Sequence, residues 1–282
     1  MKVSFFSRRA AKNAGWLVAG RILHMALAFL VNLLTARYLG PSNYGLVNYA
    51  ALYTAFFTSF ATLGLSSLLL KDFMDDPEGA GTTVGTAIAM RLLSSTLSAV
   101  SILAIVAAVD RGERLTMTVV ALYSMSLIFQ AFDTIQYWFQ SRLESKYATI
   151  ATSVGYIIVS FYKVLLLVLG KDVRWFAISN TIDYAVAAIV FLGLYKWRGG
   201  PRLHISPAKG RALLRQSGSF ILCGLMVSVY NCTDRFMLKH LLDEASVGYY
   251  ATATSLATVW TFVLSAIIDS ITPGIMQAHR TD

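Results

Sequence analysis

The chain has 282 residues, of which 56% are hydrophobic and 14% are charged, and its mean hydropathy is +0.59. Soluble domains carry about a quarter charged residues and lack apolar runs long enough to cross a bilayer, so the composition excludes a soluble globular protein. A net charge of +9 would suggest nucleic acid as the partner of a soluble protein. Here the basic residues lie in loops beside apolar segments, where topology and anionic headgroups account for them, and we expect no nucleic-acid partner.

The hydrophobic runs predict an all-α bundle of about eight transmembrane helices, since a helix needs roughly 20 apolar residues to cross about 30 Å of hydrocarbon. A membrane β-barrel would instead show short alternating segments. The segment 36–45, ARYLGPSNYG, has turn composition and is too short for a domain, so the helices on either side of it are predicted to form a hairpin. The predicted helices span residues 13–37, 46–70, 82–109, 116–140, 148–170, 174–196, 217–242 and 249–272.

Charge asymmetry predicts the orientation of the chain in the membrane. With eight helices both termini lie on one side, and fourteen Lys and Arg residues fall on that side against six on the other. Because basic loops stay in the cytoplasm, the N-terminus is predicted to be cytoplasmic. The basic segment between the sixth and seventh helices contains 207–216, which is either a short amphipathic helix on the inner leaflet or a plain loop.

A weak internal repeat indicates two lobes. Aligning Gly45 with Gly248, an offset of 203 residues, superposes a helix with polar residues, a tight loop, a glycine and a long apolar helix on a second copy. Chance similarity between hydrophobic segments is the alternative. A unit of about six helices would leave the second copy with only two, which we interpret as a truncated transporter. The predicted domains are a six-helix lobe at 1–198, a cytoplasmic basic linker at 199–216 and the incomplete start of a second lobe at 217–282.

Charged side chains within the predicted spans carry the strongest functional signal, because such groups face the bundle interior or a hydrated cavity. Arg21, Arg91 and Lys163 lie in three different spans and outnumber the obvious acidic residues near them. An anionic ligand is therefore expected, and a phosphate or diphosphate would suit the planar fork of arginine. The candidates for binding a coupling ion are Asp133, Asp183 and Asp234.

Motifs of soluble enzymes do not occur in the sequence. There is no phosphate-binding loop, no HExxH or CxxC metal spacing and no GxSxG elbow. We expect a transporter rather than an enzyme, with no cofactor and no metal, driven by an ion gradient or by the gradient of its substrate.

The opening segment, KNAGWLVAGRILHMALAFLVNLLTARYLGPSNYGLVNYA, resembles the first hairpin of polysaccharide-biosynthesis flippases. These are the Wzx-type O-antigen transporters of the MATE-like exporter superfamily, which also contains the lipid II flippase. A second segment, 231–275, resembles the start of their second lobe, with Asp234 and Arg235 in register. The chain departs from the family in having Ser219 where a proline is usual, and in having fewer helices. The most recognisable local pattern is carried by Arg37, Gly40, Pro41 and Gly45.

The resemblance implies two six-helix lobes that face each other in a V in the bacterial inner membrane and open alternately to either side. It implies a cargo of undecaprenyl-diphosphate-linked oligosaccharide for O-antigen lipopolysaccharide, capsule or exopolysaccharide synthesis. Membrane lipids, a chain supplying the missing half, or another polysaccharide-assembly protein are the expected partners. The cavity cations selected for substrate binding are Arg21, Arg91, Lys163 and Arg235, which the family pattern does not itself assign.

Three alternatives remain open from the sequence. A MATE-type exporter of small organic cations would want carboxylates to dominate the cavity. A membrane polymerase or acyltransferase of the same pathway would need a large outward loop or an interfacial catalytic cluster, and the predicted outward loops are short. The third is a gene fragment with no function of its own.

Overall fold

The computed structural model describes the backbone of residues 8–258, with the side chains of residue 25 and of residues 27–257. Within this part the regular structure is helical and no strand occurs, so the protein is the all-α polytopic membrane bundle that its sequence predicts. The helices are α1 Arg8–Ala61, α2 Ser66–Asp75, α3 Ala80–Val109, α4 Arg114–Ser124, α5 Ser126–Gln130, α6 Thr134–Ser141, α7 Ser145–Val168, α8 Val173–Trp197, α9 Pro207–Leu241 and α10 Glu244–Thr258.

Six segments among the described residues are long and apolar enough to cross a membrane. Five of them correspond one for one to the third through seventh predicted helices. The other, Leu27–Asp75, has 49 residues, and about 70 Å of helix is enough to cross the hydrocarbon twice. Much of the eighth predicted helix, 249–272, lies outside the described residues, so the count of eight stays a prediction. The six segments are Leu27–Asp75, Ala80–Val109, Arg114–Ser141, Ser145–Val168, Val173–Trp197 and Pro207–Leu241.

A single residue, Gly40, divides α1 into two parts. Its φ of 71° and ψ of 171° are not helical, whereas the residues on both sides of it are. The predicted ten-residue loop at 36–45 is therefore wrong. A Cβ at Gly40 would meet nothing within 4 Å, so space does not restrict this position to glycine. Glycine is favoured here because of the positive φ. Pro41 lacks an N–H and suits the first turn of the helical segment that follows.

The predicted helix 46–70 is also interrupted. Leu63 and Gly64 have φ values of 54° and 57°, and two successive left-handed residues cannot continue a right-handed helix. Helix α1 consequently ends at Ala61 and α2 begins at Ser66. A Cβ on Gly64 would lie 2.8 Å from the Cβ of Phe220, so α9 passes directly over this break.

The span Arg114–Ser141 is divided as well. Helix α4 ends at Ser124, and a turn of 3₁₀ helix, Ala131–Asp133, separates α5 from α6. Short 3₁₀ segments inside longer helices often mark strain or a functional position. This one holds Asp133, a residue that the sequence nominates for ion binding.

The buried hydrophobic residues form two separate clusters toward opposite ends of the bundle. The first is built around Tyr49, Val106 and Phe176, and the second around Val84, Trp138 and Phe191. On α3, α8 and the α4–α6 span, one end of the segment contributes to the first cluster and the other end to the second. The stretch between the two clusters on these helices is where the interior charges lie.

Helix α9 begins inside the segment predicted as a linker. Residues 198–206 contain no helix, Ser206 caps α9, and α9 then continues through Leu241 without interruption. Residues 207–216 are therefore its first turns and not a separate helix on the membrane surface. The N–H of Ser206 donates to Thr86 Oγ1 at 2.9 Å, and Lys209 Nζ lies 2.7 Å from Asp72 Oδ1, so the start of α9 is fastened to α3 and α2.

The contact between α1 and α10 is reciprocal. A Cβ on Gly45 would overlap the carbonyl oxygen of Glu244, and a Cβ on Gly248 would overlap the carbonyl oxygen of Pro41. Gly45 and Gly248 are 203 positions apart, and so are Pro41 and Glu244. Contacts in which two equivalent positions exchange partners are the mark of a two-fold interface. The 203-residue offset proposed from the sequence thus relates the two glycines, and Pro41 to Glu244, which are the residues that form this reciprocal contact.

Candidate functional site

Arg91 lies on α3 between the two hydrophobic clusters. It is only 1% exposed, and its guanidinium donates to Thr134 Oγ1 of α6 at 3.0 Å. Asp133, in the 3₁₀ turn immediately before α6, is close enough to interact with the Arg91 charge. Among the described atoms, Arg91 Nε has no hydrogen-bond partner. A buried arginine with spare donors and a neighbouring carboxylate is typical of a polar interior site.

Lys163 and Asp183 form the second charged pair of this layer. They lie on α7 and α8 and are close enough for their charges to interact. Helices α7 and α8 approach closely here, because a Cβ on Gly155 would lie 3.0 Å from Asp183 Oδ1. Asp133 and Asp183 also interact electrostatically. Arg91, Asp133, Lys163 and Asp183 thus form one group, which we call the charged layer.

The charged layer contains two cations and two carboxylates, so its formal charges balance. Sequence reasoning missed this pairing, since it predicted that Arg21, Arg91 and Lys163 together outnumber the acids near them. The pairing explains how the two cations are tolerated between apolar clusters, because buried charges are stable only when partnered. Their role as ligands of an anionic substrate stays a prediction.

Among the described side chains, the structure does not link the other candidate residues to the charged layer. The side chain of Arg21 is outside the described part of the chain. Asp234 on α9 accepts a hydrogen bond from the hydroxyl of Tyr250 on α10, and Arg235 beside it is half-buried. Within the described structure the Nε of Arg235 is buried without a hydrogen-bond partner. Arg37, of the family pattern, is exposed.

A second polar group, which the sequence analysis did not identify, lies where α3 and α9 end. Lys239, whose side chain is 9% exposed, lies 3.1 Å from Glu113 Oε2 and 2.9 Å from Glu244 Oε1. Nearby, Tyr49 Oη donates to Asp110 Oδ2 at 2.9 Å. The group, called the Lys239 junction below, consists of Tyr49, Asp110, Glu113, Lys239, His240 and Glu244, and all of these except Tyr49 line a cavity of about 470 Å³.

The pKa values of Asp110 and Glu113 in the Lys239 junction are shifted in opposite directions. Burial raises the pKa of Asp110, which is 8% exposed, and the nearby charge of Glu113 adds to this effect. The hydroxyl of Thr116, which donates to Glu113 Oε2 at 2.7 Å, is the main cause that lowers the pKa of Glu113. A signal was present in the sequence, since acids and bases occur together at the ends of two predicted helices. The topology argument considered only the basic residues, so the acidic residues beside them were not recognised as their partners.

An apolar cavity of about 290 Å³ lies beside the Lys239 junction, between α1, α3 and α9. Its lining includes Leu52, Phe56, Ile105 and Val229. Tyr53 and Phe236 also line it, and their rings pack edge to face. The space between α1 and α9 is thus polar at the Lys239 junction and apolar in the neighbouring cavity.

Comparison with known proteins bears on the whole chain. The family of polysaccharide biosynthesis proteins matches residues 10–279. No curated protein and no solved structure gave a match. The matched range includes the charged layer, the Lys239 junction and every helix that the structure describes except the first residues of α1. The chain therefore belongs to the polysaccharide biosynthesis protein family.

Proposed function

We propose that the protein is a flippase of the bacterial inner membrane. It moves undecaprenyl-diphosphate-linked oligosaccharide across this membrane for cell-surface polysaccharide synthesis. The observation that carries the proposal is the family match across residues 10–279 of a polytopic helix bundle. The charged layer supports it, because interior charges in a membrane bundle are the usual sign of a pathway for a polar substrate.

The proposed substrate ligands are the cations Arg21, Arg91, Lys163 and Arg235. Arg91 is buried against Thr134 in the present arrangement, so substrate binding requires the helices to separate. A diphosphate would then replace Asp133 and Asp183 as the partner of Arg91 and Lys163, and the lipid tail would remain in the bilayer. The phosphate oxygens suit the guanidinium fork better than a single carboxylate does.

Asp133, Asp183 and Asp234 are the proposed binding sites for a coupling ion. A carboxylate released from its cation by the arriving diphosphate is free to take up a proton or a sodium ion. Substrate binding and ion binding would then depend on each other through the same two ion pairs. No catalytic role is proposed for these residues.

The proposed lobes are residues 1–198 and 217–282, joined by the basic linker 199–216, with the N-terminus in the cytoplasm. The reciprocal contact of Gly45 with Glu244 and of Gly248 with Pro41 supports this division. Rocking of the two lobes about this contact would expose the charged layer to one side of the membrane and then to the other.

The proposal is tested by complementation of a strain that lacks its own flippase. Arg91→Ala and Lys163→Ala are expected to reduce surface polysaccharide at least tenfold, with protein abundance in the membrane measured in parallel. Arg114→Ala, at the exposed start of α4, is the matched control and is expected to leave complementation intact. Full activity of both interior variants would contradict the proposed site.

A charge exchange separates a binding role from a structural one. In Lys163→Asp combined with Asp183→Lys, the pair is kept and its direction is reversed. If the pair serves only to hold α7 against α8, the double variant is stable and active. If Lys163 binds the diphosphate, the double variant is stable but inactive, which is the expected result.

One observation favours a second candidate function, the export of small organic cations. Carboxylates are as numerous as cations in the charged layer. A cation exporter would lose activity in Asp133→Asn and Asp183→Asn and keep it in Arg91→Ala. Susceptibility of the strain to cationic dyes, measured beside polysaccharide display, distinguishes the two functions.

A further inference from the structure

The Lys239 junction connects three separate parts of the chain at one end of the bundle. Tyr49 comes from α1, Asp110 and Glu113 from the turn after α3, Lys239 and His240 from the last turn of α9, and Glu244 from the start of α10. Lys239 pairs with an acid on each side, and the hydroxyl of Ser42 in α1 donates to Glu244 Oε2 at 3.1 Å. Opening this end of the bundle between the proposed lobes therefore requires the Lys239–Glu113 and Ser42–Glu244 bonds to break, whereas the Lys239–Glu244 bond lies within the second lobe.

A continuous hydrogen-bond chain runs through the junction from Asp110 to His240. An ionised carboxylate only accepts hydrogen bonds, so Tyr49 gives its single hydroxyl hydrogen to Asp110 at 2.9 Å. The Tyr49 oxygen then accepts from Tyr53 Oη, 2.8 Å away, and from His240 Nε2, 3.1 Å away. In this state Nε2 of His240 carries a hydrogen.

A proton added to Asp110 can reverse the chain. The carboxyl group then donates to Tyr49 Oη, the Tyr49 hydroxyl turns to donate to His240 Nε2, and neutral His240 exchanges its Nε2 hydrogen with solvent for one on Nδ1. Every group still has a partner, and one proton has been taken up. Uptake of a proton at Asp110 thus changes the direction of each hydrogen bond between the carboxyl group and the imidazole.

Some of the groups around Asp110 stabilise its ionised, negatively charged form, and others destabilise it. Asp110 is buried and follows the last residue of α3, and a carboxylate is disfavoured at the negative end of a helix dipole. Glu113 adds a like charge. Lys239 and His240 from α9 act in the opposite direction. The remaining titratable or charged groups that face this space are Tyr49 and Tyr53 on α1, Arg111 in the turn, and Asp243 and Glu244 beside α10.

We propose that Asp110, Tyr49 and His240 form a proton-binding site, and that protonation of Asp110 weakens the electrostatic attraction that holds α9 to α1 and α3 at the Lys239 junction. Ionised Asp110 attracts Lys239 and His240 of α9, whereas the neutral carboxyl does not. Uptake of a proton therefore loosens this end of the bundle. The use of this opening for transport rests on the proposed function, but the opening itself does not.

The test measures the width of the cavity at the junction against pH. Spin labels at Val109→Cys and Leu242→Cys, two exposed residues that border the cavity, report its width in the full chain in lipid nanodiscs, with Cys223 and Cys232 replaced by serine. Between about pH 8 and pH 4, a range that includes the ordinary values of histidine and aspartate, a longer distance is expected to replace a shorter one. Asp110→Asn is expected to show the longer distance at every pH.

Two further variants keep the test independent of misfolding. Tyr49→Phe removes the hydrogen bond that stabilises ionised Asp110, so the midpoint of the distance change is expected to move to higher pH. Asp243→Asn is the matched control, because Asp243 borders the same cavity but accepts the N–H of Ser246. Asparagine caps a helix equally well, so this variant is expected to follow the wild type.

A distance that does not change with pH in the wild type would overturn the proposal. So would an Asp110→Asn variant that behaves as Asp243→Asn does, or a Tyr49→Phe midpoint that moves to lower pH. Polysaccharide complementation is measured separately. A normal pH response without complementation supports the proton site and contradicts the flippase, whereas complementation without a pH response contradicts the proton site alone.

Discussion

At Gly45 we expect one methyl group to be enough to disturb the contact between α1 and α10. The atom that an alanine would overlap is the carbonyl oxygen of Glu244, which belongs to the backbone and cannot rotate away as a side-chain tip can. Gly45→Ala is therefore predicted to destabilise the protein by about 1–3 kcal/mol. The measurement is the thermal unfolding temperature of the detergent-solubilised chain.

Gly193→Ala in α8 is the control for that prediction. A Cβ at Gly193 would meet nothing within 4 Å, and alanine is the better helix former by roughly 0.5–1 kcal/mol. The control is expected to unfold at or above the wild-type temperature. A Gly45→Ala variant that unfolds together with it would show that the two helices do not approach as closely as described.

Glu113 gives a prediction about pH. Its pKa is lowered, so the stabilisation from its ionised form is present above the unfolded-state pKa and is lost as the pH falls through the folded-state value. Thr116→Val removes the main cause of the lowering, so this loss is expected at a higher pH than in the wild type. Thermal stability measured across an acid pH series detects the shift. Thr118→Val, which removes a hydroxyl that donates to the carbonyl of Arg114 within α4, should leave the profile unchanged.

The sequence could place the single charged residues better than it could pair them. Arg91 and Asp183 are predicted inside the bundle because they interrupt long apolar runs, and the structure has them there. The partnership of Arg91 with Asp133 depends on the 3₁₀ turn at Ala131–Asp133, which helical periodicity does not reveal. A charge balance formed by α3, the 3₁₀ turn, α7 and α8 depends on how these elements pack, and one sequence contains no record of that packing.

At the scale of the elements, the start of α9 is fixed to α2 by an ion pair. Asp72 accepts both from Lys209 Nζ and from Thr83 Oγ1, each at 2.7 Å. Because the pair is partly exposed, Asp72→Asn should cost about 1 kcal/mol or less of overall stability. The expected effect is local and is measured by hydrogen exchange, which should become faster in the first turns of α9. Asp75→Asn, at the exposed end of α2, should leave that exchange unchanged.

The long helices of the third to seventh spans were predictable because a run of apolar residues bounded by charges leaves little choice within a bilayer. The interruptions at Leu63 and in the α4–α6 span could not be predicted in this way. Leu63 is a good helix former, and its positive φ exists because Gly64 fits against the backbone of α9. Such breaks are imposed by a neighbouring helix and not by the local sequence.

For the whole molecule, orientation is the feature that a simple experiment can decide. Arg111→Cys, in the turn after α3, should react with a membrane-impermeant maleimide added to intact cells. Arg198→Cys, after α8, should react only once the cells are permeabilised, because the basic segment is predicted to be cytoplasmic. Both variants are made without the native cysteines. The reverse labelling pattern would invert the proposed topology and place the Lys239 junction in the cytoplasm.

Helix α9 is a rod of 35 residues, about 52 Å long, and so it is much longer than the hydrocarbon it crosses. It is held near one end by Lys209 and Asp72 and near the other by Lys239 with Glu113 and Glu244. With both ends fixed the rod cannot turn. With one end released, the other becomes a fulcrum, and a tilt of only about 10° carries the free end roughly 9 Å. Small changes of charge at either terminus would thus be converted by leverage into a movement nearly as large as the width of a helix.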